Sequence, residues 1–204
     1  MNNSSIKVLF FDIGGVLLSN GWGHESRALA AKEFSFDFEQ FELLHNFIFN
    51  VYEIGRISLD EYLDISVFNQ TRAFTREDFK SFMYSRSHEL PGTLQWLIQW
   101  KQQHPHIKIA SVNNEGKELN DYRIAKFNLH RCFDAFISSC EVGMRKPDPG
   151  IFRLAMGIMQ VSPEQCMYFD DRIILVEAGQ RMGLHGYHHQ EFETTRKIIE
   201  SITA

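Results

Sequence analysis

Four groups of polar residues stand where an α/β chain does its chemistry. Asp12 follows the apolar run Val8-Leu9-Phe10-Phe11 and precedes Ile13, Gly14 and Gly15. Asn113-Asn114 follow Ile109-Ala110-Ser111-Val112, Lys146 lies in Gly143-Met144-Arg145-Lys146-Pro147-Asp148-Pro149, and Asp170-Asp171 follow Cys166-Met167-Tyr168-Phe169. A carboxylate that ends a buried run sits at the carboxyl edge of a strand, where open parallel sheets bind ligands, and the glycines after it let backbone come close to a ligand or metal. Asp12 therefore reads as a nucleophile or metal ligand, although the same pattern alone also suits an Asp that caps a helix or starts a turn. The other groups favour the chemical reading. Carboxylates at two strand ends suit a hard cation such as magnesium, the Lys146 ammonium suits a phosphoryl oxygen or the aspartate, and an Asn amide can donate to another such oxygen. Phosphoryl transfer needs these parts.

The elements that must position these groups are legible in the hydrophobic periodicity. From residue 93 onward the patterns alternate: helix Thr93 to Gln103 with Leu94, Leu97 and Ile98 on one face, strand Ile107 to Val112, helix Gly116 to Phe127, strand Phe136 to Ser138, helix Pro149 to Met159, strand Cys166 to Phe169, helix Ile174 to Met182, strand Gly186 to His189. Such alternation implies an α/β, Rossmann-like parallel sheet wrapped by right-handed crossovers, and the first apolar run joins it. Between the first strand and the rest, the chain reads as helical from about Glu25 to Phe68, with Phe41, Leu44, Ile48 and Val51 at helical spacing. Ser58 with Glu61 and Thr75 with Asp78 form capping boxes. Residues 20–88 are thus expected to be a helical module inserted into a core made of 1–19 and 89–204, with Leu90-Pro91-Gly92 as the re-entry point. The aromatic run Phe34, Phe36, Phe38, Phe41, Phe47, Phe49 is expected to form that module's interior.

Composition narrows the class. A chain of 204 residues with 44% hydrophobic content supports one core and a smaller module. Cys132, Cys140 and Cys166 lack CxxC or zinc-finger spacing, which points away from a disulfide framework and toward a reducing compartment such as the cytoplasm. Asp12 interrupts the one apolar run that resembles a signal peptide, and no other run is long enough to span a bilayer. With 26 acidic against 21 basic residues and no basic stripe, nucleic acid is not an expected partner. Nothing in the pattern sets an oligomeric state.

Taken together, these motifs resemble the haloacid dehalogenase superfamily, with its first motif at Asp12, the second at Asn113, the third at Lys146 and the fourth at Asp170-Asp171. The stretch from Ser139 to Gly183, with VGMRKPDPGIF, YFDDR and VEAGQRMGL, is similar to the subfamily of sugar-phosphate phosphatases and the amino-terminal phosphatase domains of epoxide hydrolases. The resemblance implies a Rossmann-like core with a helical cap, attack by Asp12 on phosphorus, and Mg²⁺ held by Asp12, the Gly14 carbonyl and Asp171, with Asp170 supporting the metal and Lys146. The implied substrate is a small phosphorylated metabolite, bound by Asn113, Asn114 and Gly15. His24 and Arg27, just beyond the first motif where a flap leads into the cap, are candidates to read its leaving group; the same positions also suit a flap packed by Trp22 with solvated polar neighbours.

Two departures bear on turnover. Related phosphatases usually carry a second Asp two residues after the nucleophile, as general acid and base; here Gly14 stands there. General acid–base help is worth about 10²- to 10⁴-fold in rate, so leaving groups that need no proton, aryl or acyl phosphates, are expected to outpace alkyl ones, and the phospho-enzyme to break down slowly. Asn113 replaces the usual Ser or Thr of the second motif, which keeps a donor, and Ser111 lies on the same strand face. Glu115 is a candidate substitute acid, although a carboxylate at a helix amino terminus also answers the macrodipole. His185, His188 and His189 lack a spacing that completes a metal site. Two other functions share these features: a dehalogenase, which needs no acid but also no magnesium pair, and a phosphate-binding regulatory protein with little turnover.

Overall fold

The computed structural model describes residues 6–202; the chain termini assigned above to the core, 1–5 and 203–204, lie outside the described residues. Among the described residues five strands and ten α-helices follow in order: β1 (Val8–Phe11), α1 (His24–Glu33), α2 (Phe38–Glu53), α3 (Leu59–Ser66), α4 (Arg76–Ser85), α5 (Thr93–Gln103), β2 (Lys108–Asn113), α6 (Lys117–Lys126), β3 (Ala135–Ser138), α7 (Ser139–Val142), α8 (Pro149–Met159), β4 (Cys166–Asp170), α9 (Ile173–Arg181), β5 (His185–His188) and α10 (Phe192–Glu200). The strands form one parallel sheet in the order β3-β2-β1-β4-β5. β1 is central and flanked on both sides, so all four of its residues are buried, as its unbroken apolar sequence requires.

Alternation along β1 divides the core between the two faces of the sheet. Leu9 and Phe11 pack with Ile109, Phe169, Leu94 and Leu97 on one side; Val8 and Phe10 pack with Val112, Tyr168, Ile151 and Phe152 on the other. The register Phe11 to Ser111 and Phe11 to Phe169 brings Asp12, Asn113 and Asp170 to the same edge.

The chain leaves the sheet after β1 and returns beside its own path. The Ser19 amide donates to the His88 carbonyl at 2.9 Å and the Leu90 amide to the Leu17 carbonyl at 3.0 Å, while Gly92 supplies the turn at φ +83°. Between these crossings α1 to α4 share a separate apolar cluster, with Trp22, Phe41, Tyr62, Phe79 and Met83 at its centre and Leu119 of α6 inserted from the sheet side. Both capping boxes are present. The helical stretch expected from about Glu25 to Phe68 consists of α1, α2 and α3, with the chain turning at Ser35 and Gly55, both with positive φ. Phe47 departs from the expected aromatic interior: it is 77% exposed, since on α2 it lies opposite the stripe of Phe41, His45, Ile48 and Tyr52.

The end of α2 sits tightly on the sheet edge. A Cβ on Gly55 would lie 2.1 Å from the Cys140 carbonyl oxygen, and one on Gly116 would lie 2.0 Å from the Tyr52 ring. The Glu53 carbonyl accepts from the Ser139 hydroxyl at 2.6 Å, and the Glu53 carboxylate pairs with Arg145 at 2.7 Å.

Candidate active site

The carboxyl edge of the sheet opens into a cavity of about 970 Å³, floored by Asp12, Lys146 and Asp171 and walled by residues 19–29 and by Phe49 and Glu53 of α2. Asp12 ends β1 with its amide donating to the Phe169 carbonyl, which holds it in line with β4. Its Oδ1 accepts from the Ile13 amide at 2.8 Å and lies 3.3 Å from the Lys146 Nζ. Lys146 is 1% exposed and its ammonium donates to Asp170 Oδ2 at 2.6 Å. Asp170 is wholly buried; it also accepts from the Tyr168 hydroxyl and, at 2.9 Å, from the Arg172 amide.

Three carboxylates thus crowd one ammonium. Oxygens of Asp12, Asp170 and Asp171 lie within 4.8 Å of one another. Burial, with Asp170 and Asp171 adding to it against the pull of Lys146, pushes the Asp12 carboxyl up to about 7, and burial also raises Asp171. Burial works against the Lys146 ammonium, but Asp12 and Asp170 together hold its pKa above the usual lysine range. Asp171 Oδ2 accepts from the Asn20 amide at 3.2 Å, whereas its buried Oδ1 has no partner among the described residues. An unsatisfied buried oxygen beside an excess of negative charge is the environment a hard dication relieves, and oxygen-only donors fit magnesium. A Cβ on Gly15 (φ +71°) would come 2.1 Å from Asp171 Oδ2, so only glycine lets this carboxylate approach.

The remaining sequence candidates divide. Asn114 lines the cavity and clasps the Lys146 backbone with both ends of its amide, at 2.9 and 2.8 Å, and so positions the lysine. Asn113 lines the cavity, but its amide is engaged by Ser138 at 3.0 Å and Asn120 at 3.3 Å. The Gly15 amide donates to the Leu18 carbonyl at 2.7 Å and is not free for substrate. Arg27 lines the cavity but is 9% exposed, with its guanidinium engaged by Glu42 at 2.5 and 3.1 Å and by the Trp22 carbonyl at 2.8 Å, an ion pair that braces α1 on α2. His24 opens α1, is exposed at the cavity wall and sets its ring edge-on to Phe38. Glu115 is not a solvated helix-end carboxylate: it is buried and paired with Arg123 at 2.5 Å, and burial raises its pKa despite that cation. The histidines diverge, His188 toward the Asp171 carbonyl, His189 toward the Thr195 hydroxyl and His185 toward the Glu164 carbonyl.

Three residues of the site escape the sequence reading. Tyr168 shares a strand face with Asp170 at spacing two, a signal that was available. Asn20 and Arg123 carry none, since one lies in a loop and the other on a helix that reaches the site only through the fold.

The chain belongs to the haloacid dehalogenase-like hydrolase family, whose model matches residues 6–183. It is 24% identical to an uncharacterised protein of Haemophilus influenzae over 94% of this chain and 92% of that one. It is 28% identical to a phosphorylated carbohydrates phosphatase of Thermotoga maritima, over 47% of this chain and 44% of that protein. A HAD family enzyme of Bacteroides thetaiotaomicron, crystallised with magnesium and inorganic phosphate, superposes with a TM-score of 0.76 at 22% identity, covering 91% of this chain and 94% of that one, which establishes the shared fold. The protein is accordingly a hydrolase. Among the described residues no helix is long and apolar enough to cross a membrane.

Proposed function

We propose that this hydrolase is a magnesium-dependent phosphatase of small phosphorylated metabolites that works through an aspartyl-phosphate at Asp12. The observation that carries the reading is the grouping of Asp12, Asp170 and Asp171 around one buried ammonium, with an Asp171 oxygen left unpartnered. Asp12, the Gly14 carbonyl and Asp171 would hold the metal, which supplies positive charge to the phosphoryl oxygens when bound. Asp12 attacks phosphorus as its carboxylate oxygen bonds to it and the ester P–O bond breaks. Lys146 favours the ionised form of the nucleophile and faces the charge that spreads over the phosphoryl oxygens, while Asp170 and the Asn114 clasp hold Lys146 in place. Water then cleaves the acyl phosphate. The segment 20–88 acts as a cap that walls the cavity and sets which leaving group enters. Free cysteines and an acidic surface agree with a reducing compartment such as the cytoplasm.

The activity named for the phosphorylated carbohydrates phosphatase and the magnesium and inorganic phosphate in the structural neighbour are consistent with this reading but belong to those proteins. A panel of phosphorylated metabolites and aryl phosphates, assayed with magnesium and with excess chelator, tests it. Release of phosphate that requires magnesium and disappears in Asp171→Ala supports the reading. Activity unaffected by chelator, or halide release from a 2-haloacid, moves the chain to the dehalogenase reading.

A further inference from the structure

We propose that Arg123 takes over, at the leaving oxygen, the charge handling that a carboxylate at position 14 supplies in related phosphatases; the inference rests on the phosphatase reading above. Gly14 leaves room where that side chain would begin. A Cβ placed on it would lie 3.0 Å from Asn20 Oδ1 and 3.8 Å from Arg123 Nη1, so a guanidinium borders the space that the acid would fill. Arg123 comes from α6, is 3% exposed and lies on the cavity wall. Two contacts hold its plane: Nη1 donates to Glu115 Oε2 and Nη2 to the Ser19 carbonyl, each at 2.5 Å. Its Nε is a buried donor without an acceptor among the described residues.

This arrangement does different chemistry from a carboxylic acid. A guanidinium does not give up its proton near neutral pH, but it offers five N–H donors and a permanent charge in a fixed fork. As Asp12 bonds to phosphorus, the ester P–O bond breaks and its electron pair stays on the leaving oxygen. Arg123 stabilises that oxyanion by hydrogen bonding, and the oxyanion then takes a proton from water. Water then attacks phosphorus of the acyl phosphate, the P–O bond to Asp12 breaks to regenerate its carboxylate, and the proton released neutralises the hydroxide, giving alcohol and inorganic phosphate overall. Glu115 and Ser19 are positioning groups that keep the guanidinium aimed beside Gly14. The leaving-group sensitivity expected from the missing carboxylate is therefore muted in the native protein and exposed when Arg123 is removed.

The test is a series of aryl and alkyl phosphates of graded leaving-group pKa, given to the wild type, Arg123→Lys, Arg123→Ala and, as a control for the reaction itself, Asp12→Asn. Loss of one preorganised donor is worth roughly 10²- to 10³-fold in kcat where charge develops fully. Arg123→Ala should lose about that much on alkyl phosphates and little on 4-nitrophenyl phosphate, so that the dependence of log kcat/KM on leaving-group pKa steepens. Arg123→Lys should recover part of the alkyl rate, and millimolar ethylguanidinium should recover it in Arg123→Ala. Thermal melts identify any variant lost to unfolding; Arg123→Lys, which keeps a cation near Glu115, then carries the comparison. An unchanged slope in folded variants, or equal losses on aryl and alkyl esters, overturns the role of Arg123 while leaving the phosphatase reading intact. Absence of any Asp12-dependent phosphate release from the wild type overturns both.

Discussion

At the residue scale the site turns on two adjacent glycines with different jobs. Gly15 has a positive φ and sits against Asp171, where a Cβ would overlap the carboxylate at 2.1 Å. Gly14 has an ordinary backbone, and a Cβ there would meet the tip of Asn20 at 3.0 Å, with Asn20 Cα and Arg123 Nη1 no nearer than 3.7 and 3.8 Å. Gly15→Ala should therefore displace Asp171 and abolish magnesium binding, measured calorimetrically, whereas Gly14→Ala should retain binding close to wild type. Loss of binding in both variants would mean that the first loop is constrained as a whole and not at Asp171. The carboxyl of Asp12, pushed up to about 7 by burial and the neighbouring acids, adds a pH signature. Protons compete with the cation for this carboxylate, so magnesium affinity should be constant above pH 7 and fall by up to about tenfold per pH unit below it. Titrations at pH 6, 7 and 8 check this; an affinity flat across that range would show that Asp12 is ionised throughout and contributes no linked proton.

At the element scale, β1, β2 and β4 were legible because the centre of the sheet is covered on both faces and their apolar runs are nearly continuous, whereas their ends shifted by a residue where a strand runs on into a polar residue such as Asn113 or Asp170. The helices after residue 93 were legible from one apolar stripe each. Of the breaks within the inserted helices, those before α3 and α4 were marked by the Ser58 and Thr75 capping boxes, whereas the positive φ at Ser35 between α1 and α2 is not announced by a glycine. The buried side of α2 carries its own pH dependence. His45 is 5% exposed, its Nδ1 lies 2.9 Å from the Tyr62 hydroxyl, and burial pulls its pKa down to about 3 from 6.5. The folded chain stays unprotonated there while the unfolded chain takes up a proton below pH 6.5. Its contribution is present above pH 6.5 and is lost as pH falls from there toward 3, by at most about 1.4 kcal/mol per unit. Urea unfolding between pH 7 and 5 should show His45→Gln with a slope of stability against pH flatter by about one proton; identical slopes would place that proton elsewhere.

At the scale of the whole molecule, function arises where an ordinary parallel sheet edge meets helices inserted after its first strand. Asp12, Lys146 and the Asp170-Asp171 pair could be read from sequence because each ends a strand or lies in the loop beyond one, so topology alone gathers them. Arg123, Asn20 and the commitment of Arg27 to Glu42 could not, since those contacts join segments whose relative placement depends on the full packing of α1, α2 and α6. The same packing, with Glu53 on Arg145 and Tyr52 against Gly116, keeps the inserted helices on the site. The central claim is covalent catalysis by Asp12 in a site without a carboxylate at position 14, where water attack on the phospho-enzyme lacks its base and is slow. Acid-quenched, rapid-mixing turnover of 4-nitrophenyl phosphate with magnesium, followed by peptide mapping, tests it most directly. The account predicts a burst approaching one nitrophenol per active site and a phosphoryl group mapped to Asp12, both absent in Asp12→Asn; turnover in Asp12→Asn, or a phosphoryl group on any other residue, would contradict it.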